Sequence, residues 1–368
     1  MISLSNSNSI AGLPASLLGG GTPPVNLDFV STWDTTKAGS ASDTVVLPLL
    51  SGGTYSGTID WGDGNSDDLS YANRTHVYAS GGVKTITISG TIGGFQFNNG
   101  GDKAKITDIS NWGTLDITTN SGFYGCSNLD VSATDAPIIS TNNVSRCFRG
   151  CSSLTTPNFS NWDVSGVQFF AGMFQLCTNF NGNISTWDVS SGTDFSSMFR
   201  GCIVFNSNIT AWNLASATIV GSAFASTGMF EGCSAFNQDI SGWSFPSLTS
   251  LSRIFMDCTS FNQPIQNWDF SNIVNVANLL NNADAFDLDI SGISVSQMTN
   301  MNNFMINATG LSTVNYDALL IGWAAQIPLS YTGTLNMGGS KYTAGGAAEA
   351  ARTALISEIG AIIDGGPA

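Results

Sequence analysis

The stretch "MFEGCSAFNQDISGW", Met229 to Trp243, carries the pattern on which the whole chain turns. Aligned on the cysteine of FxGCxxF, the phrase is anchored at Cys126, Cys151, Cys177, Cys202, Cys233 and Cys258, and continues at Ala283 and Ala308. The steps between anchors are 25, 26, 25, 31, 25, 25 and 25 residues. Three residues after each anchor stands an apolar side chain: Leu129, Leu154, Phe180, Phe205, Phe236, Phe261, Phe286 and Leu311. Isoleucines follow at Ile184, Ile209, Ile240, Ile265 and Ile290, and then Trp162, Trp187, Trp212, Trp243 and Trp268, with Ile293 in the next copy. A period in the twenties marks a unit too small to bury its own face, which must stack on copies of itself. Each recurring residue then fills one column of a continuous core.

Within one copy, "FNxxIxxWDVS" has the β-branched and aromatic residues of a short strand with Asn turn signals. The other half reads like "SQMTNMNNFM", with Met298, Met301 and Phe304 three apart, and predicts a short helical or 3₁₀ stretch. A strand and a short helix per coil predict a parallel solenoid of the leucine-rich-repeat kind. At about 4.8 Å per stacked strand, eight coils make a rod roughly 35–40 Å long. The step of 31 residues holds extra chain near Ile219–Gly228, expected to bulge outward as a loop.

The 368 residues carry a net charge of −15, from 11 Lys and Arg against 26 Asp and Glu. So acidic a surface repels phosphate backbones, and no nucleic-acid partner is expected. No apolar run is long enough to span a bilayer, so no membrane insertion is expected. Six of the seven cysteines occupy one repeat column, which suits a ladder of buried, reduced thiols. Cys147 and Cys151 lack a histidine partner for a metal site, because His76 is the only histidine.

Ahead of the repeats, residues 56–88 read "SGTIDWGDGNSDDLSYANRTHVYASGGVKTITI". Trp61, Gly62, Asp63 and Gly64, then His76 and Tyr78, then Gly82, Thr85 and Thr87 resemble the PKD domain, which implies an immunoglobulin-like β-sandwich. Asp60 and Asp63, with Asp67 and Asp68, are candidate calcium ligands, since such loops supply carboxylate oxygens. The competing reading is an ordinary Gly-Asp hairpin turn, and no metal or cofactor is expected. His76 is read as a packing residue, not a base.

The phrase "MFxGCxxFNxxIxxWDVS" resembles the bacterial surface-protein repeats of 25 or 26 residues. Met173-Phe174, Met198-Phe199, Met229-Phe230, Asp163-Val164-Ser165 and Asp188-Val189-Ser190 carry the resemblance. So do the cap-like segments Tyr316–Ala324, Gly338–Ile356 and Ile362–Gly366. The resemblance implies surface display and adhesion, not a reaction. The expected organisation is an arm at residues 1–24, a sandwich at 25–95, the repeats at 96–312 and an α-containing cap at 313–368, mainly β with short helices overall.

Residues 1–24 contain no Lys or Arg, and no cysteine precedes Cys126, so neither an export signal nor a lipid anchor is expected. A displayed protein without an export signal suggests a phage particle. The first expectation is therefore a non-enzymatic virion surface protein (a capsid decoration, head fibre or tail-associated subunit) whose arm docks on other virion subunits and whose repeats touch a host glycan or receptor. The alternatives are a bacterial cell-surface or secreted adhesin, and a polysaccharide-cleaving enzyme. For the last, Asp163, Asp188 and Asp269 share a column at the spacing of paired glycosidase carboxylates, although each also suits a turn. The Trp162, Trp187, Trp212, Trp243 and Trp268 column is either core or a sugar-stacking ladder. The Asn181, Asn206, Asn237 and Asn262 column is expected to form an internal amide ladder.

Overall fold

The computed structural model describes residues 27–221, 228–309 and 311–368. The arm at 1–24 and most of the extra chain at 219–228 lie outside them. The fold is mainly β, with two α-helices among the described residues, both near the C-terminus.

The N-terminal part is built on strands β1 (Phe29–Asp34), β2 (Thr44–Val46), β3 (Leu49–Asp60), β4 (Ser66–Asp68), β5 (Thr75–Val77) and β6 (Val83–Phe95). Strand β1, FVSTWD, alternates strictly, with Phe29, Ser31 and Trp33 inward, so one face joins the core. It pairs antiparallel with β6, which in turn pairs with β3, while β2 and β5 form a second, two-stranded layer. The Trp61-Gly-Asp-Gly turn is closed by the Trp61 N–H on the Asn65 carbonyl, 3.1 Å. Gly62 is required there: its φ is +75°, and a Cβ would stand 2.2 Å from the Thr85 carbonyl oxygen.

The sheet does not stop at residue 95. Strand β7 (Ile106–Asn111) pairs antiparallel with β1, and β8 (Leu115–Ile117) pairs parallel with β6. Beyond them β9 (Asp130–Val131) lies parallel to β7, and β10 (Ile138–Ile139) parallel to β8. The expected boundary at 95/96 therefore cuts through one sheet. Residues from Phe97 onward already behave as a coil, with the Phe97 N–H on the Gly122 carbonyl, 2.8 Å, and Asn99 on Tyr124, 2.9 Å. The alignment missed this coil because its anchor position carries no cysteine. A buried peg locks it to the β1–β2 connection and to β2. Lys105 Nζ donates to the carbonyls of Ser40, Ala41 and Thr44 at 3.1, 2.8 and 2.8 Å, and Asp102 accepts from the N–H groups of Ser40 and Val46 at 2.6 and 2.7 Å.

From there the chain winds in stacked coils, and backbone donors are shared on a simple rule. The N–H groups of Val144, Arg146, Phe148 and Gly150 cross to the next coil, onto Phe169, Ala171, Met173 and Gln175, at 2.7–3.0 Å. The intervening N–H groups of Cys147, Arg149 and Cys151 fold back onto the third residue before them, at 3.0–3.1 Å. The same alternation recurs at 170–177, 251–258 and 276–283. It requires a left-handed residue at two places per coil: Ser121 and Gly125, Arg146 and Gly150, Gly172 and Leu176, Ser197 and Gly201, Arg253 and Asp257, Asn278 and Asn282, Asn303 and Asn307. The Gly of FxGC thus supplies a positive φ, and Asn or Asp replaces it at moderate cost.

Two local expectations are corrected by this geometry. The stretch around Met298, Met301 and Phe304 is not helical but a run of turns with a bridge at Asn300. Its N–H groups are divided between the i−3 carbonyl and another coil, so no α-helical i−4 ladder can form. The column of parallel bridges (Asn143, Phe169, Asp194, Ile219, and then Ser250, Asn275, Asn300) lies ahead of the MF element, not along FNxxIxxWDVS. Beyond the pairings of β9 and β10, that other half carries the bridge Asn158–Asn183 alone among the described residues.

Aromatic columns fill the interior. Phe148, Phe174, Phe199, Phe230 and Phe255 stack at centroid distances of 5.7, 5.8, 5.7 and 6.0 Å. Phe180, Phe205, Phe236, Phe261 and Phe286 form a second stack at 5.9, 6.0, 6.1 and 6.2 Å. The last coils are capped by α1 (Thr313–Ala324), β11 (Gly333–Asn336), α2 (Ala347–Ile359) and β12 (Gly360–Ile363). Helix α1 buries Tyr316, Leu319, Leu320 and Trp323, one stripe at helical spacing. The ladder runs on into the cap, with Met305 N–H on the Asn336 carbonyl, 2.9 Å, and Met337 on Ile363, 2.8 Å. Tyr316 and Arg352 both hold Asp364, at 2.7 Å each.

Candidate functional site

The residues that sequence alone offered for chemistry are occupied by the fold. All seven cysteines are buried and unpaired. Five thiols donate to the carbonyl of a coil-forming Phe: Cys151 to Phe123, Cys177 to Phe148, Cys202 to Phe174, Cys233 to Phe199 and Cys258 to Phe230, at 2.9–3.2 Å. Burial pushes Cys147 up to about 12 and raises Cys126, Cys151, Cys202, Cys233 and Cys258 as well, so none of these six is a ready thiolate.

Trp162, Trp187, Trp212, Trp243 and Trp268 are core residues, each 3–5% exposed. The indole N–H groups of Trp187, Trp212 and Trp268 donate to the carbonyls of Phe159, Ile184 and Ile240 at 2.7, 3.2 and 3.0 Å. Their faces meet other rings, and Phe245 wedges edge-on between Trp243 and Trp268, at 6.1 and 5.0 Å. A sugar cannot stack on a face already covered, which removes the stacking-ladder alternative. Asp163, Asp188 and Asp269 each accept the N–H two residues on, from Ser165, Ser190 and Ser271, at 3.1, 3.0 and 2.8 Å. The serine hydroxyl and N–H hold each carboxyl below the usual range, the opposite of what a general acid needs. The Asn181, Asn206, Asn237 and Asn262 column does link coils, but through side-chain oxygens on the backbone N–H of the next coil, at 2.9–3.1 Å. It lies on the half-exposed rim and not inside.

Asp60 and Asp63 do not converge on a common point. Asp60 accepts from the Gly62 N–H at 2.9 Å, and Asp63 from Asn65 at 3.1 Å and His76 Nε2 at 2.9 Å. Among the described residues no group of three or more His, Cys, Asp or Glu side chains is placed to hold a metal ion. His76 stacks on Trp61 at 4.8 Å and is spent as a packing residue.

What the fold leaves open is surface. A shallow groove of ≈ 690 Å³ beside β3 and β6 is lined mostly by glycine and hydroxylated residues, among them Ser51, Gly53, Thr54, Thr91 and Thr118, with Leu50 and Asp116. A second hollow, ≈ 210 Å³, lies on the turn flank of three successive coils, between Arg146, Arg149, Gly172, Gln175 and Ser196. The flank follows the x of FxGC, the column Tyr124, Arg149, Gln175, Arg200, Glu231, Met256 and Asn281, in which Tyr124, Arg149, Arg200 and Met256 are partly exposed while Gln175, Glu231 and Asn281 are buried. Arg149 lies over the Tyr124 ring, 5.1 Å from its centre. Arg200 is spent on Glu231 at 3.0 Å, whereas Arg146 and Arg149 have no acidic partner among the described residues. Sequence reasoning passed over this column because its members share no chemistry. The available signal was two arginines three apart in a chain with only 11 Lys and Arg.

A family model described as "Mycoplasma protein of unknown function, DUF285" matches residues 118–228 and 226–317, more than half of the chain. The junction of the two matches falls in the 31-residue step. No curated protein and no solved structure matches.

Proposed function

We propose, from the premise that this chain belongs to the DUF285 family, that it is a non-enzymatic binding and display protein. Its stacked coils would then be a leucine-rich-repeat-like solenoid carried on a PKD-like, immunoglobulin-like domain. The observation that carries the reading is the division of labour in each coil. Thiols, indoles and paired carboxylates are absorbed into core and turns, while the x position of FxGC recurs in register along the turn flank, partly exposed at Tyr124, Arg149, Arg200 and Met256. A rigid, repeating flank is how stacked-repeat proteins build extended binding surfaces. A host-surface glycan or receptor is the partner this reading expects.

Placement on a virion, with a bacterial cell surface as the alternative, belongs to the same proposal. Mass spectrometry of purified particles and of cell-surface fractions separates the two. The non-enzymatic reading is tested by incubating the protein with capsular and algal polysaccharides. Retention on a polysaccharide or cell surface without release of reducing ends is expected. Steady release of reducing ends would overturn it.

A further inference from the structure

The hollow over Gly172 has the attributes of an anion site in a chain that is otherwise strongly acidic. Arg146 and Arg149 both line it, no Asp or Glu does, and neither arginine is ion-paired among the described residues. The other arginines of this flank are engaged: Arg200 holds Glu231 at 3.0 Å, and Arg253 turns a guanidinium nitrogen to the Met256 sulfur at 3.1 Å. Gln175 is 8% exposed, and its side-chain oxygen lies 3.3 Å from where a Cβ on Gly172 would stand, so an amide borders the floor. The floor exists because Gly172 occupies a left-handed position that carries Arg146, Arg253, Asn278 or Asn303 in other coils. Two guanidinium forks and the Ser196 hydroxyl supply the donors that an oxyanion accepts from. At ≈ 210 Å³ the hollow is below the roughly 300–1,000 Å³ of sites for drug-sized ligands, which suits one charged sugar unit.

We infer that the Arg146–Arg149–Gln175 cleft binds the oxyanion of an acidic sugar residue, a carboxylate or a sulfate, on a surface glycan. This rests on the reading of the chain as a binding protein and names the class of its ligand. Titration calorimetry on the full chain would use four probes: a uronate oligosaccharide, its carboxyl-reduced neutral twin, a sulfated oligosaccharide, and a poly-glutamate peptide. At least one acidic sugar is expected to bind about tenfold or more tighter than the neutral twin, and more weakly as salt rises. The tighter of the uronate and sulfated probes identifies the anion.

Arg146→Asn and Arg149→Gln should each weaken acidic-sugar binding about tenfold or more, as expected for losing a charge-assisted hydrogen bond. Gly172→Asn should block it by filling the floor. The melting temperature should hold in the first and last, because Asn already occupies this left-handed column at Asn278 and Asn303. Equal binding of the neutral twin, undiminished binding by the arginine variants, or equal competition by poly-glutamate overturns the inference while leaving a binding protein. If no saccharide, peptide or cell surface is bound, the inference and the proposed function both fall.

Discussion

Truncating Phe236 to Ala tests the stacked-coil core where it is most regular. Phe236 is fully buried, stacked between Phe205 at 6.0 Å and Phe261 at 6.1 Å, and pressed against Phe230 of its own coil at 4.1 Å. Large-to-small changes of a buried Phe cost about 3–5 kcal/mol, transfer and cavity terms together. Three lost ring contacts, at about 0.5–1.5 kcal/mol each beyond area burial, push the value to the upper part of that range. Coils above and below cannot collapse into the gap, because their own backbone ladders fix the rise. The expectation is therefore about 4–5 kcal/mol, read from urea midpoints by tryptophan fluorescence at unchanged slope. Phe169→Ala, at a ring 37% exposed, is the control and should cost under about 1 kcal/mol. Equal, small losses for both would mean that the Phe236 column does not hold the coils together.

Leu176 sits in the left-handed region at φ +63° with its side chain half in water, where other coils use Gly, Asp or Asn. Leu176→Asn should raise stability by about 1 kcal/mol in the same melt, and a loss would show that Leu176 packs usefully. Cys177, Cys202 and Cys233 should resist a thiol reagent in the native protein, with all seven thiols labelled after denaturation; fast native labelling refutes the ladder. Because folded thiols such as Cys147, at about 12, stay protonated where unfolded ones near 9 ionise, unfolding releases protons above pH 9. Stability should therefore be full below pH 9 and fall as pH rises toward 12, and a flat profile would contradict the burial. Asp364→Asn removes the charge that Arg352 and the Tyr316 hydroxyl share in the cap, and should cost about 3 kcal/mol in a thermal or urea melt.

The sequence by itself determined the period, the columns and what fills them. Phe, Ile, Trp and Cys recur every 25 or so residues because burial is a property of each side chain, legible wherever it repeats. The turn role of Asp163 and Asp188 was also legible, since an Asx turn closes within two residues of itself.

Only the tertiary structure decided which half of a coil forms the ladder. The donor on Val144 and the acceptor on Phe169 lie a whole coil apart, and no local pattern records that direction. For the same reason the 25–95 boundary misses that β7 completes the N-terminal sheet, pairing with β1 across more than seventy residues. The Trp column could face sugar or core, because an indole suits both. The carbonyls of the preceding coil, within reach of Nε1, made three of them core groups. The arginine cleft was invisible for a further reason: Arg146, Gly172 and Ser196 share no motif, and their meeting is produced by the rise between coils and by one missing side chain.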